Sequence, residues 1–203
     1  MQHPTKVFDE WATLGKDKGM EISHAASVSE ILEYALSRLK TENNYFTFLD
    51  FGCGNGWVAD QISKKDNCSL SIGVDGAENM ILNAKNRKSE AVFYLDDLNS
   101  FKSDKKFDLI FSMEVLYYLE NPSIVVERIK NMLNPNGRFI MGIDHYFEND
   151  ECHDWQEKVG TRMHMFKEEE WLDFFAKSDY KNIFSWRANS NDWAGTLSIT
   201  GTK

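Results

Sequence analysis

Apolar positions along the chain recur in two alternating rhythms. Short β-prone runs stand at Phe46–Phe51, Leu70–Val74, Ala91–Leu95, Phe107–Met113 and Arg138–Ile143. Between them apolar residues return at three- and four-residue spacing, the mark of a helix with one buried side. Val28, Ile31, Leu32, Ala35, Leu36 and Leu39 outline one such helix, with Ser27 and Glu30 as a capping box at its start. Before it, Val7, Phe8, Trp11 and Leu14 mix with charges over Lys6 to Lys18, which predicts an N-terminal helix lying over the rest, followed by a break at Gly19-Met20. Val58 with Ile62, then Met80 with Ile81 and Ala84, mark the helices after the first two strands. Val125, Ile129, Met132 and Leu133 mark the one after the fourth strand, entered through Asn121-Pro122. Asn134-Pro135-Asn136-Gly137 turns the chain into the fifth strand. Five strands separated by helices predict a parallel, doubly wound α/β sheet.

The rhythm breaks from Asp144 to Phe166, a charged and aromatic segment too long for an ordinary connection, which predicts a lid over a substrate. After it, Trp171, Leu172 and Phe175 form a helix whose first turn carries Glu168 to Glu170, the sign its dipole favours. Ile183–Arg187 and Thr196–Thr200, linked through Asn189, Asn191 and Gly195, read as a terminal hairpin.

The stretch LDFGCGNGWV, Leu49 to Val58, reads as strand, glycine turn and helix. Residues without Cβ at Gly52, Gly54 and Gly56 let a backbone and a helix N-terminus approach a ligand closely, and Asp50 can hold the loop or accept from a ligand amine. A dinucleotide loop needs a third glycine where Trp57 stands, and a Walker loop needs Lys-Ser/Thr after Gly56, where Trp57-Val58 follow. What remains, Asp-x-Gly-x-Gly-x-Gly, resembles motif I of the class I S-adenosylmethionine-dependent methyltransferases. Over residues 45–143 the later signals keep that family's order. The resemblance implies a Rossmann-like seven-stranded sheet of order 3-2-1-4-5-7-6, with N-terminal helices (1–44) over the cofactor and a terminal antiparallel hairpin.

The same resemblance supplies the cofactor residues. Asp75, 23 positions after Gly52, takes the place of the ribose-binding acid, with Gly76 beside it. Met80 matches the apolar residue against the adenine, and Asp96, Asp97 and Leu98 match the adenine contacts. Ser112, Met113 and Tyr117 fall beside the methionine end. Cys53 lies within the glycine loop, and Trp11 is expected to cover the site. Singly, a glycine turn, a helix-capping acid or a core methionine gives the same residues. Their succession at the C-terminal ends of strands, where open α/β sheets bind ligands, points to one site.

Composition bounds the acceptor. The chain has 203 residues, expected as a single domain spanning 1–203, with 23 Lys plus Arg against 32 Asp plus Glu and a net charge of −9. Such a balance disfavours a nucleic-acid substrate. Three cysteines, Cys53, Cys68 and Cys152, make no C-x-x-C pair, which predicts a reducing, cytoplasmic setting and neither disulfide framework nor zinc ribbon. No apolar run reaches the ~18 residues of a membrane span, and the start lacks an apolar secretory core. After the fourth strand the chain reads Ser112-Met113-Glu114-Val115, where methyltransferases of amide and base nitrogens commonly carry Asn/Asp-Pro-Pro-aromatic, and no Pro-Cys nucleophile for cytosine is present.

A small-molecule acceptor methylated at N or O is therefore expected. A tRNA or protein methyltransferase, or a non-catalytic cofactor-binding sensor or partner subunit, is the alternative. Glu114, His145 and His153 are the candidate catalytic bases, near Asp144, with His145 placed at the edge of strand five. Asp144, His145, Cys152 and His153 match no ligand spacing, so no metal is expected.

Overall fold

The computed structural model describes residues 1–41 and 43–203. Two helices lead in: α1 (Pro4–Thr13) and α2 (Asp17–Leu36). Then come β1 (Phe46–Phe51), α3 (Trp57–Ser63), β2 (Cys68–Asp75), α4 (Glu78–Asn86), β3 (Val92–Leu95), β4 (Phe107–Met113), α5 (Pro122–Asn131) and β5 (Leu133–Ile143). The chain ends with α6 (Trp155–Val159), α7 (Glu168–Lys177), β6 (Lys181–Ala188) and β7 (Thr196–Thr202). The seven strands form one sheet of order β3-β2-β1-β4-β5-β7-β6. β1 to β5 pair in parallel, and β7 runs antiparallel between β5 and β6. This is the predicted topology.

Strand periodicity divides the core in two. Phe46 and Phe48 of β1 face one side, where Val28, Ile31 and Leu32 of α2 and Val58 and Ile62 of α3 meet them. Leu49 and Phe51 face the other, with Val125 and Ile129 of α5 and Trp171 and Phe175 of α7. Each phenylalanine withdrawn from water in this way contributes ~1.5–3 kcal/mol. Because both faces are covered, the carbonyl ends of the central strands are the places left open to a ligand.

Four sequence expectations change. The second helix begins at Asp17 rather than near Ser27: Gly19 lies exposed in its first turns, where a missing Cβ costs ~1 kcal/mol without stopping the helix. Ser27 is thus buried mid-helix with its hydroxyl 2.8 Å from that of Thr196, and Glu30 accepts from Trp186 Nε1 and the Asn189 N–H, both at 2.9 Å. These residues tie α2 to the terminal hairpin instead of capping a helix. Asn121 makes no side-chain cap, and Pro122 alone marks the start of α5. The Asn134–Gly137 turn is a bulge within β5, since Phe107 pairs with Leu133 and Leu109 with Arg138.

The segment 144–166 contains a short 3₁₀ turn at Asp150–Cys152 and α6. Its His145, Tyr146, Asn149, Cys152, Thr161 and Met163 are buried, so much of the expected lid is anchored. It also clasps the N-terminus: the Gln2 N–H donates to Gly160 O and the Thr161 hydroxyl to Gln2 O, both at 2.9 Å.

Candidate functional site

A cavity of about 910 Å³ lies over the C-terminal ends of β1, β2 and β4. Below it is the glycine loop, on one side α2, and above it Met1 to Thr5, Phe8 and Trp11 with Trp155, Val159, Arg162 and Met163.

The loop is held from within. The N–H groups of Gly52 and Cys53 donate to Val74 O (2.8 and 2.9 Å), Gly56 donates to Cys53 O (2.9 Å), and Gly54 donates to Asp75 Oδ2 (2.9 Å). These four donors are committed to the fold, which departs from the expectation that they reach a ligand. The loop supplies room. A Cβ at Gly54 would have only Met80 Sδ nearby, at 4.0 Å, on the cavity side. At Gly52, where φ is +85°, a Cβ would stand 2.2 Å from Val115 Cγ2.

The acids at the strand ends differ in partners. Asp75 Oδ1 accepts the N–H of Ala77 at 2.9 Å while Oδ2 takes Gly54, so the carboxylate is anchored through both oxygens on the wall of the cavity. Burial raises its pKa against these bonds. Asp50 is 2% exposed and lines the cavity, and its Oδ2 has no partner among the described residues. Burial, then the charge of Asp75, pushes its pKa up to about 8.

At the other end stand three groups from three elements. Glu114 follows β4 in a left-handed conformation, φ 58°, a strain that a non-glycine residue keeps only where surroundings enforce it. Its Oε2 accepts Tyr117 OH at 2.6 Å and its Oε1 the N–H of Asp144. Burial, then the Asp144 charge, raises its pKa to about 8. His24 of α2 points its Nε2 at Asp144 Oδ2, 3.4 Å away. Burial works against its protonation, but the bond to Asp144 and the charges of Glu114 and Asp144 outweigh it, and its pKa rises to about 9.

Of the sequence-derived residues, Trp11, Asp50, Gly52, Cys53, Gly54, Asp75, Gly76, Met80, Asp97, Leu98, Met113, Tyr117 and Glu114 line this one cavity. Gly56, Asp96 and Ser112 do not, and each has a structural task. Gly56 caps α3 with φ 78°, where a Cβ would meet Phe93 at 2.6 Å. Asp96 accepts the Asp97 N–H, and the Ser112 hydroxyl donates to Phe51 O across β4 and β1 at 2.8 Å.

Two of the three candidate bases also stand outside the cavity wall. His145 is 1% exposed beside Tyr117 and Trp155, with neither ring nitrogen hydrogen-bonded among the described residues, and burial pushes its pKa down to about 4. It lies past β5 but turns into the core under the lid. His153 is at the surface, its Nε2 2.8 Å from Phe147 O. Cys152 donates to Tyr146 O and Asn149 O.

Sequence reasoning missed Asp17, Glu21 and His24, which all line the cavity from α2. Asp17 and Glu21 both accept from Asn55 Nδ2, at 3.0 and 3.3 Å, and Arg87 pairs with Glu21 while its Nε donates to Asn55 O at 2.7 Å. Their spacing of four and three puts them on one helical face, a signal that the supposed break at Gly19 concealed.

Residues 42–185 match a family described as a methyltransferase domain. Malonyl-[acyl-carrier protein] O-methyltransferase 2 of Ilyobacter polytropus is 28% identical over 149 residues, covering 70% of this chain and 52% of that protein. The chain spans about half the length of this curated relative. Among solved structures, one titled as the complex between the Haloferax volcanii Trm112 methyltransferase activator and the putative methyltransferase has a chain similar at TM-score 0.83. The two are 25% identical, covering 100% of this chain and 98% of that one. Magnesium protoporphyrin IX methyltransferase of Synechocystis PCC 6803 with bound SAH shares the fold at TM-score 0.70 and 16% identity, over 94% of this chain and 87% of that one.

Proposed function

The chain belongs to the methyltransferase-domain family, and from that premise we propose that it transfers the methyl group of S-adenosylmethionine to oxygen or nitrogen of a small molecule. The observation that carries the reading is Asp50 Oδ2, a buried carboxylate oxygen without a partner on the wall of the cavity. A buried polar atom left bare costs ~1–3 kcal/mol, more if charged, and a cationic ligand group relieves it.

The remaining residues fit the rest of such a ligand. Asp50 would take the ammonium, the space above Gly54 would receive the amino-acid chain, and Asp75 would accept two ribose hydroxyls. Met80, Asp97 and Leu98 would border the adenine. When bound, S-adenosylmethionine supplies an electrophilic sulfonium methyl group. The protein's own contribution is then to hold the acceptor in line and keep water out. Glu114, fixed by Tyr117 and Asp144, faces the acceptor's nucleophilic atom. Phe8, Trp11, Tyr118 and Trp155 enclose it from above.

A small acceptor is favoured by the covered cavity and by a net charge of −9, which opposes a polyphosphate chain. The likeness to the Haloferax volcanii chain, over its whole length, favours a second reading: a catalytic subunit working with a small activator protein and a macromolecular acceptor. Incubation with methyl-labelled S-adenosylmethionine and a fractionated cell extract tests both. Label in the low-mass fraction supports the small-molecule reading, and label in protein or RNA alone overturns it in favour of the second. No label in any fraction, with SAH bound, points to a binding module.

A further inference from the structure

We infer that His24, Glu114 and Asp144 form a binding site for a divalent transition-metal ion at the acceptor end of the cavity. One donor atom from each lies within 4.8 Å of the others. The imidazole decides what can sit there. Its Nδ1 is 2.8 Å from Met20 O, and a carbonyl only accepts, so Nδ1 carries the hydrogen. Nε2, as a neutral imidazole, then presents a lone pair toward Asp144 Oδ2 at 3.4 Å. Without metal a proton on Nε2 bridges the two; once it is released, two acceptors face each other with a second carboxylate alongside, and a divalent cation can take the proton's place.

Each donor is also braced from behind in the way metal ligands are. Met20 O fixes the ring, and Thr196 Oγ1, 2.7 Å from Asp144 Oδ1, leaves Oδ2 free. Tyr117 OH holds Glu114. A dication with two carboxylates and a neutral imidazole is charge-neutral in a buried place. Two ligand atoms ~2.0–2.1 Å from a tetrahedral ion stand about 3.3 Å apart, close to the distance between Nε2 and Oδ2. One nitrogen and two carboxylate donors suit zinc or manganese better than calcium or magnesium. His24 and Glu114 line the cavity, so three protein ligands leave a coordination position open on that side. Resting on the methyl-transfer reading, that position would take the acceptor's oxygen and lower its pKa so that its proton passes to solvent water; the oxygen would then form the O–CH3 bond as the sulfonium S–CH3 bond breaks and SAH leaves, which makes a hydroxyl or carboxylic acceptor the substrate class.

The test is metal binding, with no turnover required. Chelator-treated protein is equilibrated with Zn²⁺, Mn²⁺ or Mg²⁺ and desalted, its metal content is measured, and Co²⁺ binding is followed by its visible absorption. One equivalent of Zn²⁺ or Mn²⁺ is expected, with Mg²⁺ at least tenfold weaker. Affinity should fall at least tenfold in His24→Gln and Asp144→Asn, and about tenfold in Thr196→Val, which removes the brace on Oδ1 together with the bond to Ser27. Less than one equivalent in the wild type, or equal binding in His24→Gln, overturns the site. SAH binding to the chelated protein is measured alongside. Protein that binds SAH but takes up no metal overturns the metal site alone, and protein that takes up metal but binds no SAH overturns the methyltransferase reading alone.

Discussion

Asp75 and Gly54 are joined by a hydrogen bond of 2.9 Å, the loop N–H donating to a carboxylate that closes β2. One side chain therefore shapes the loop and faces the cavity. Asp75→Ala should weaken SAH by about 1.5–3 kcal/mol, roughly 10- to 150-fold, the range for a lost bond to a charged group. Titration calorimetry against the wild type measures it, and unchanged affinity would remove Asp75 from the cofactor site.

The glycines of the loop should separate by role. Gly52→Ala places a Cβ against Val115 at φ +85° and should cost about 2–4 kcal/mol of stability. Gly54→Val has open space before it, so the fold should persist while SAH binding is lost. Denaturant melts paired with binding assays distinguish the two, and retained binding in a folded Gly54→Val would make that position structural only.

Asp50 sets a pH dependence. With its carboxyl raised to about 8, the free protein holds it mostly neutral below that pH, whereas an ammonium ligand requires the anion. Ligand binding thus releases a proton, and SAH affinity should rise with pH between 6 and 8, by at most about tenfold per unit. Calorimetry in buffers of differing ionisation enthalpy reads the proton directly. Asp50→Asn should bind weakly with a flat profile, and a flat wild-type profile would contradict the assignment.

His145 predicts the opposite of a catalytic loss. A buried imidazole with both nitrogens bare gains nothing from being polar, so His145→Leu should leave SAH affinity unchanged and stability unchanged or higher near pH 7. Its folded pKa of about 4 is depressed below the ordinary 6.5, so its contribution is present above 6.5 and lost as pH falls toward 4. Wild-type protein should therefore lose about 2 kcal/mol relative to the leucine variant at pH 5. Thermal melts from pH 7.5 to 5 show whether the curves diverge.

The sheet was legible because Phe46–Phe51 and Phe107–Met113 are mostly apolar, broken only by Thr47, Asp50, Asp108 and Ser112, and end at residues that turn. The floor of the cavity followed, since Gly52, Gly54 and Asp75 stand close to strand ends and inherit their positions from them. The acceptor side was only partly legible. Glu114 was found beside its strand, but its cavity neighbour His24 lies 90 positions earlier on a helix that a single glycine seemed to interrupt. His145 was misplaced for a related reason: a residue one step beyond a strand can turn to either side, and Tyr117 and Trp155 turned it inward.

The contact of Gln2 with Gly160 and Thr161 ties together pieces of chain that lie at opposite ends of the sequence. Neither belongs to the sheet, and the tie consists of two hydrogen bonds whose donors and acceptors water can satisfy equally well. The roof is nonetheless fastened twice over: Asp9 of α1 accepts from the Asn79 N–H at 2.6 Å and from its side-chain amide at 2.8 Å, and the far piece is held by its own buried residues, so loosening Gln2 leaves both halves and the strand ends beneath them in place.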